Sequence, residues 1–483
     1  MRHAVRHSWI CAAWVLIGLA GAPVAAVAQD VPSPADALKA ATAQIQHGQV
    51  AAGLDIIRQL ALDGYAPAQN ALGMALQTGD GVPQDRAAAL DWFRRAAAQG
   101  SPDAAFNLGT LLEAGEVVRQ DLPGAAQLYR RAAEQGVAVA QHALGMLYAT
   151  GRGMPRDDGQ AALWFGRAAE QGFALAQASL ASMIEQGRGV RRDDKLAYQW
   201  YRAAAEQNSV PAMNALGVYL LNGRGTKVNQ TEALGWIRRA AEAGLPEAQR
   251  RLGQMMEAGI GTPSDDLSGR MWYRRAAESG DTEAQIRLGV LLESGWHGAD
   301  KDLAQAAQWY LRAAGRGVGM AQYRLALLYL RGAGVPVDDD AAAALLMRAA
   351  EQRVVGAAWQ LGAMASEGRG GLADNEAALH WYQLAAQHDG NAALEHLLAW
   401  YDVFKAARLK PGRNQPITDV QAVRHLRLAA EHGLPNAQNN LAVMLYNGWG
   451  VKQDIAGAKR LFSQAATAGN RTAKAWLDWL AQE

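Results

Sequence analysis

A leucine set in phrases such as AQNALG (68–73) recurs at Leu72, Leu108, Leu144, Leu180, Leu216, Leu252 and Leu288, always 36 residues apart. It continues at Leu325, Leu361, Leu397, Leu441 and Leu477, at intervals of 37, 36, 36, 44 and 36. A fixed period of this length means one supersecondary unit copied many times, which cannot bury its apolar stripe alone and does so only against its neighbours. Eleven units fill residues 66–470.

Each unit parses into two helices. The first begins near an in-phase alanine (Ala68, Ala104, Ala140) and ends at a glycine such as Gly79, Gly151, Gly187 or Gly223, which can take the left-handed conformation that closes a helix. An aspartate then recurs (Asp85, Asp121, Asp157, Asp193, Asp265, Asp302, Asp338, Asp374, Asp454), placed to accept the orphan amides of the second helix. That helix carries a tryptophan and a second large side chain, Trp92-Phe93, Trp164-Phe165, Trp200-Tyr201, Trp272-Tyr273, Trp309-Tyr310 and Trp381-Tyr382, before paired alanines. Large rings followed by alanines make a knob and a shallow hole, so the tryptophans are read as packing.

The phrase AQHALGMLYATGRGMPRDDGQAALWFGRAAEQG (140–172) and its relatives resemble the Sel-one-like repeat, which is related to the tetratricopeptide repeat. The resemblance implies a right-handed superhelix of α/α hairpins, first helices lining its concave side, and a role as an adaptor in protein complexes. The expected fold is thus all-α, a solenoid of about eleven 36-residue helix-turn-helix units. Residues 35–65 read as an N-terminal capping hairpin and 471–483 as a closing helix. One branch of the family is cysteine-rich and associated with penicillin-like compounds; this chain departs from it, its single cysteine being Cys11.

The first 28 residues read differently. Arg2 and Arg6 precede the apolar run WICAAWVLIGLAG, and AVA at 26–28 offers small residues before a cleavage point near Ala28. We expect a signal peptide (1–28), a short linker (29–34), and a periplasmic or secreted mature chain. Removing Arg2 and Arg6 takes 47 basic and 46 acidic residues to 45 and 46. Such near neutrality argues against a nucleic-acid partner, and the later apolar stretches are too interrupted to span a bilayer.

No motif carries catalysis or a cofactor. The glycine pairs in GDGV, GRGM, GRGT and GIGT lack the strand-turn-helix setting of a phosphate loop. His380, His388, His396, His425 and His432 have no metal-ligand spacing, and Asp338, Asp339 and Asp340 sit at a helix start rather than in a calcium loop. The sequence therefore points to a non-catalytic scaffold for protein or peptide segments, in envelope signalling, secretion or polysaccharide export. The alternative is an enzyme acting on envelope substrates.

With the leucine as position zero, residues at minus two, plus two and plus five project from the opposite side of the first helix at 100° per residue. Minus two holds Asn70, Phe106, His142, Asn214, Arg250, Tyr323 and Trp359; plus two holds Met74, Met146, Val218, Gln254, Val290 and Leu327. Plus five holds Gln77, Glu113, Glu185, Glu257 and Glu293. An apolar strip edged by glutamates suits an extended peptide or a helix with basic flanks. The tenth unit is longer by eight residues, the excess falling in a basic loop at 403–419 with Lys405, Arg408, Lys410 and Arg413. It is read as an insertion that could meet an acidic partner or anionic lipid.

Overall fold

The computed structural model describes residues 32–295, 301–371 and 435–481, with a few single positions between 380 and 431. The signal peptide and the basic loop of the sequence reading lie outside the described residues, as does Asp374. Among the described residues there are twenty-two helices and no strand. The chain divides into two compact units, Met1–Ala243 and Gly244–Glu483.

The first unit holds α1 (Pro34–Gln46), α2 (Val50–Leu62), α3 (Ala66–Thr78), α4 (Arg86–Ala98), α5 (Pro102–Ala114) and α6 (Leu122–Glu134). It continues with α7 (Ala138–Thr150), α8 (Asp158–Glu170), α9 (Ala174–Gln186), α10 (Asp194–Glu206), α11 (Val210–Asn222) and α12 (Gln230–Glu242). The second unit holds α13 (Pro246–Ala258), α14 (Asp266–Glu278), α15 (Thr282–Ser294), α16 (Leu303–Gly315), α17 (Gly319–Arg331), α18 (Asp339–Glu351) and α19 (Val355–Glu367). After the interval come α20 (Pro435–Asn447), α21 (Ile455–Thr467) and α22 (Arg471–Leu480). In each unit the helices pack in consecutive pairs, and each pair packs on the next. This is an all-α solenoid.

Local chemistry sets the repeat. Asp85, Asp121, Asp157, Asp193, Asp265, Asp302, Asp338 and Asp454 each accept an amide hydrogen of the first turn of the following helix, and Asn229 does the same where the aspartate is missing. Such caps each contribute about 1 kcal/mol. The glycine after the leucine receives the aromatic ring of its own hairpin: a Cβ on Gly145 would lie 2.7 Å from Phe165. The rings filling these holes are the buried Phe93, Tyr129, Phe165, Tyr273 and Tyr310, each the residue after a tryptophan except Tyr129, which follows Leu128. The tryptophans pack as expected, Trp164 and Trp309 being buried and Trp92 partly so, and they lie under an arginine one turn on, as Arg95 over Trp92, Arg167 over Trp164 and Arg239 over Trp236.

Between hairpins the closest approach is made by the second glycine of the G-x-G loop. Gly225 has φ 64°, and a Cβ there would stand 2.2 Å from the carbonyl oxygen of Asp194 in the preceding hairpin. Only glycine fits both the backbone angle and the gap. The glutamine of the A-Q phrase adds a polar tie: buried Gln141 donates to the Ala133 carbonyl of the preceding hairpin, and its side-chain oxygen accepts from Gln171. Gln69 with Gln99, Gln177 with Gln207, and Gln322 with Gln352 repeat the pairing.

Candidate interaction face

The face opposite the leucines is built on the first helices. At minus two, the side chains lean into the crevice toward the next hairpin rather than standing clear of the stack. Phe106 packs against Tyr129 with ring centroids 5.5 Å apart. His142 lies between Phe165 and Phe173 and shares a 3.2 Å hydrogen bond with Ser179 of the next first helix. Burial pushes its imidazole down to about 4, so it is neutral near pH 7. Asn214 is buried, and Arg250 is held by Asp281 at 3.2 Å and Glu283 at 2.9 Å. The Tyr323 ring occupies the space where a Cβ on Gly356 would sit, 2.8 Å from its hydroxyl. Trp359 is half-buried against its own core cluster.

The glutamates at plus five are also engaged. Glu113 accepts from the buried Tyr129 hydroxyl at 2.8 Å and meets Arg152 at 3.1 Å. Glu185 accepts from Tyr201 at 2.8 Å and meets Arg224 at 2.5 Å. Glu257 pairs with Tyr273 and Arg287, and Glu293 with Tyr310 and Arg324. Burial, with the glutamate as acceptor, raises the Tyr129 and Tyr201 hydroxyls well above the usual tyrosine range, keeping them protonated donors. These carboxylates join repeats and are not free rim charges.

At plus two, Met146 is 43% exposed and Gln254 is exposed, while Met74, Val218, Val290 and Leu327 are half-buried. The sequence reading missed two comparably open apolar side chains at minus five, Leu175 (45%) and Met320 (44%). At plus six, Thr78, Ala114, Thr150, Gln186, Asn222, Ala258 and Ser294 are exposed. Minus five, plus two and plus six share one arc of the helix, turned by roughly 40° from the point opposite the leucine. That turn follows from the stacking, because plus five and minus two are covered by the next hairpin. The arc offers small polar side chains with a few open aliphatic ones, a surface for contact rather than for chemistry.

No metal is suggested by the geometry. Among the described residues no three His, Cys, Asp or Glu side chains come together. Of the five histidines singled out from the sequence only His380 is described, edge-on to Trp381, and the other four lie outside the described residues. Asp338 caps α18 and Asp339 pairs with Arg369 at 2.7 Å. No described helix is long and apolar enough to cross a membrane.

Known proteins share this arrangement. The structure of c5321, a protective antigen present in uropathogenic Escherichia coli strains and displaying an SLR fold, is 34% identical, covering 89% of this chain and 90% of that one with a TM-score of 0.66. A Sel1 repeat protein from Oxalobacter formigenes is 31% identical over 71% of this chain and 97% of its own, with a TM-score of 0.51. Among curated proteins, the chitin synthase regulator SKT5 of Malassezia restricta is 32% identical over 145 residues, 30% of this chain but only 10% of that protein. The Sel1 repeat model matches eleven segments, in unbroken succession from 66 to 390 and again at 419–434 and 435–470. The chain belongs to the Sel1 repeat family.

Proposed function

We propose that the protein is an exported, non-catalytic scaffold whose first-helix face holds a segment of another protein. The observation that carries this reading is the open arc at minus five, plus two and plus six, where Met146, Leu175 and Met320 stand exposed while their polar neighbours are satisfied within the stack. Aliphatic and methionine side chains on a polar ground suit an extended or helical segment. Sel1 repeats serve generally in protein interaction. The match to a protein named as a regulator of an enzyme agrees with binding rather than catalysis.

Export rests on residues 1–28, whose basic start, apolar run and small-residue end suit cleavage near Ala28. Protein recovered from a cell envelope should begin near Gln29, and an intact Met1 on such material would refute cleavage. To test the face, a partner is captured from envelope extract and identified by mass spectrometry, and its affinity for variants is then measured. Met146→Glu with Leu175→Glu should weaken binding at least about tenfold, with an unchanged melting temperature. Phe106→Ala, Tyr323→Ala and Trp359→Ala should lower the melting temperature as well, because these rings pack against neighbouring helices. Unchanged affinity in the double glutamate variant would remove the arc as the binding face.

A further inference from the structure

Helices α14 and α16, second helices of adjacent repeats in the second unit, turn an unusual stripe outward. The second helix commonly closes in R-A-A-E, as at 131–134, 167–170 and 275–278, but α16 closes in R-A-A-G followed by Arg316. A glutamate has become Gly315, and the position filled by Gln135 and Gln171 elsewhere has become Arg316. With the regular Arg274, Arg275 and Arg312, this makes four arginines, none with an ion-pair partner among the described residues. Arg274 donates to the Gln305 side chain at 3.3 Å, and Arg316 donates to the Gly280 carbonyl. Arg275 lies 4.6 Å over the Trp272 ring and Arg312 lies 4.5 Å over Trp309. Glu278 is the one carboxylate on the outward side of these two helix ends. On the same two helices Met271 (54% exposed) and Leu311 (55%) stand outward just before the arginines, with Leu267 (74%) in the first turn of α14 beside Asp265 and Asp266.

We propose that this outer face of α14 and α16 docks on an anionic lipid bilayer. The guanidinium groups are held in place by rings and by neighbour-repeat carbonyl and amide oxygens, so little freedom is lost when a phosphate takes their open edges. The four arginines outnumber the single Glu278 on these helix ends, and an anionic leaflet attracts basic side chains. The three aliphatic side chains stand singly beside charged residues. That arrangement suits insertion one by one into a headgroup region, whereas a protein partner needs a contiguous apolar patch to exclude water. The same Trp–Arg stacking recurs on α12 with Trp236 and Arg239, but there Gly235 and Thr231 stand outward in place of large aliphatic residues.

The test is co-sedimentation of the full chain with vesicles of pure phosphatidylcholine or with roughly one third phosphatidylglycerol. The chain should partition onto the anionic vesicles about tenfold or more over the neutral ones, and lose that advantage as salt rises to about 0.5 M. The variant Arg274→Gln, Arg275→Gln, Arg312→Gln, Arg316→Gln should abolish the preference, and Met271→Asp with Leu311→Asp should reduce binding at low salt. The control Arg238→Gln with Arg239→Gln on α12 should bind as the parent does, with melting curves verifying that every variant is folded. If the parent stays in the supernatant with anionic vesicles, the proposal is overturned and the stripe belongs to an acidic protein. Equal binding to neutral vesicles, or an unaffected quadruple variant, overturns it as well.

Discussion

The two units use the same glutamate and tie it down with different arginines. In the first unit, Glu113 and Glu185 are reached by Arg152 and Arg224, the middle residues of the next repeat's G-x-G loop, 39 positions on. In the second unit the partners come from the next first helix, as Arg287 to Glu257 and Arg324 to Glu293, and the loop facing Glu293 reads G-A-G. A cation is supplied either from the loop or from the helix. At four joints the middle residue of the loop also meets the first residue of the preceding second helix, 30 positions back. Asp158 pairs so with Arg188, Asp194 with Arg224 and Asp339 with Arg369, while Arg86 with Glu116 is the same pair with its signs reversed. Where the loop carries Ala333, the opposite residue is Leu303. At these joints neighbours are matched to each other, while Arg152 stands opposite Leu122 and Asp80 opposite Val50 with no such pair.

The largest effect should come from breaking the doubly used joint. Arg224→Ala removes the cation from both Glu185 and Asp194 and should cost about 2 kcal/mol, measured by urea denaturation. Arg324→Ala, whose side chain is 37% exposed and 3.7 Å from Glu293, should cost under about 0.5 kcal/mol. Equal losses would mean that the two modes of attachment are equivalent.

Reversing one sign in a joint is the next test. Asp158→Arg should lower the melting temperature by facing Arg188 with a like charge, and adding Arg188→Asp should restore it, as the naturally reversed Arg86–Glu116 pair implies. Failure of the double variant to recover would deny that the joints are matched by charge.

A third comparison concerns two chain reversals that lack the usual glycine. Asn208 has φ 65° in the first unit and Arg353 has φ 62° in the second. Asparagine tolerates this region and arginine does not, so Arg353→Gly should stabilise by roughly 1 kcal/mol and Asn208→Gly by less. A stability loss in Arg353→Gly would show that its side chain contributes more than its backbone strain costs.

The smallest effect should be seen in acid. Arginine hydrogen bonds, from Arg156 and Arg188 on Asp158 and from Arg224 and Arg192 on Asp194, hold both carboxyls below the usual aspartate range. In the second unit Arg369 does the same to Asp339. A lowered carboxyl stabilises the fold above its unfolded value of about 4 and loses that contribution as pH falls through its folded value. Asp158→Asn with Asp194→Asn should therefore flatten the decline of the urea midpoint below about pH 4 more than Asp339→Asn does. An unchanged decline would place the acid sensitivity elsewhere.

How much of this was legible follows from where each interaction lies along the chain. The period, the two-helix unit, the helix-closing glycines and the capping aspartates are all written within a few residues of where they act, and each is found in place. The glutamates at plus five were visible too, but their engagement was not, because the tyrosine lies 16 residues on and the arginine 30 or 39. Comparing loop residues with helix-start residues 30 positions earlier would have exposed the aspartate–arginine joints. The interaction face was placed opposite the leucine, as for an isolated helix, and the covering of one flank by the next hairpin turned it. That the paired rings pack was legible, but which of the two enters the glycine hole was not, since helical phase sends the residue after the tryptophan there.

Each side-chain tie described above reaches no further than the adjoining repeat, the longest hydrogen bond spanning 39 residues. Pulled from its ends, the described repeats have, among these ties, no clasp that shares the load over distant parts. Tension would open it one hairpin at a time, each release lengthening the thread by roughly 120 Å, the extended span of one repeat, while hairpins not yet reached keep their own caps and buried rings. The molecule is in that sense a graduated extensible tether, its step set by the same 36-residue interval that separates the leucines.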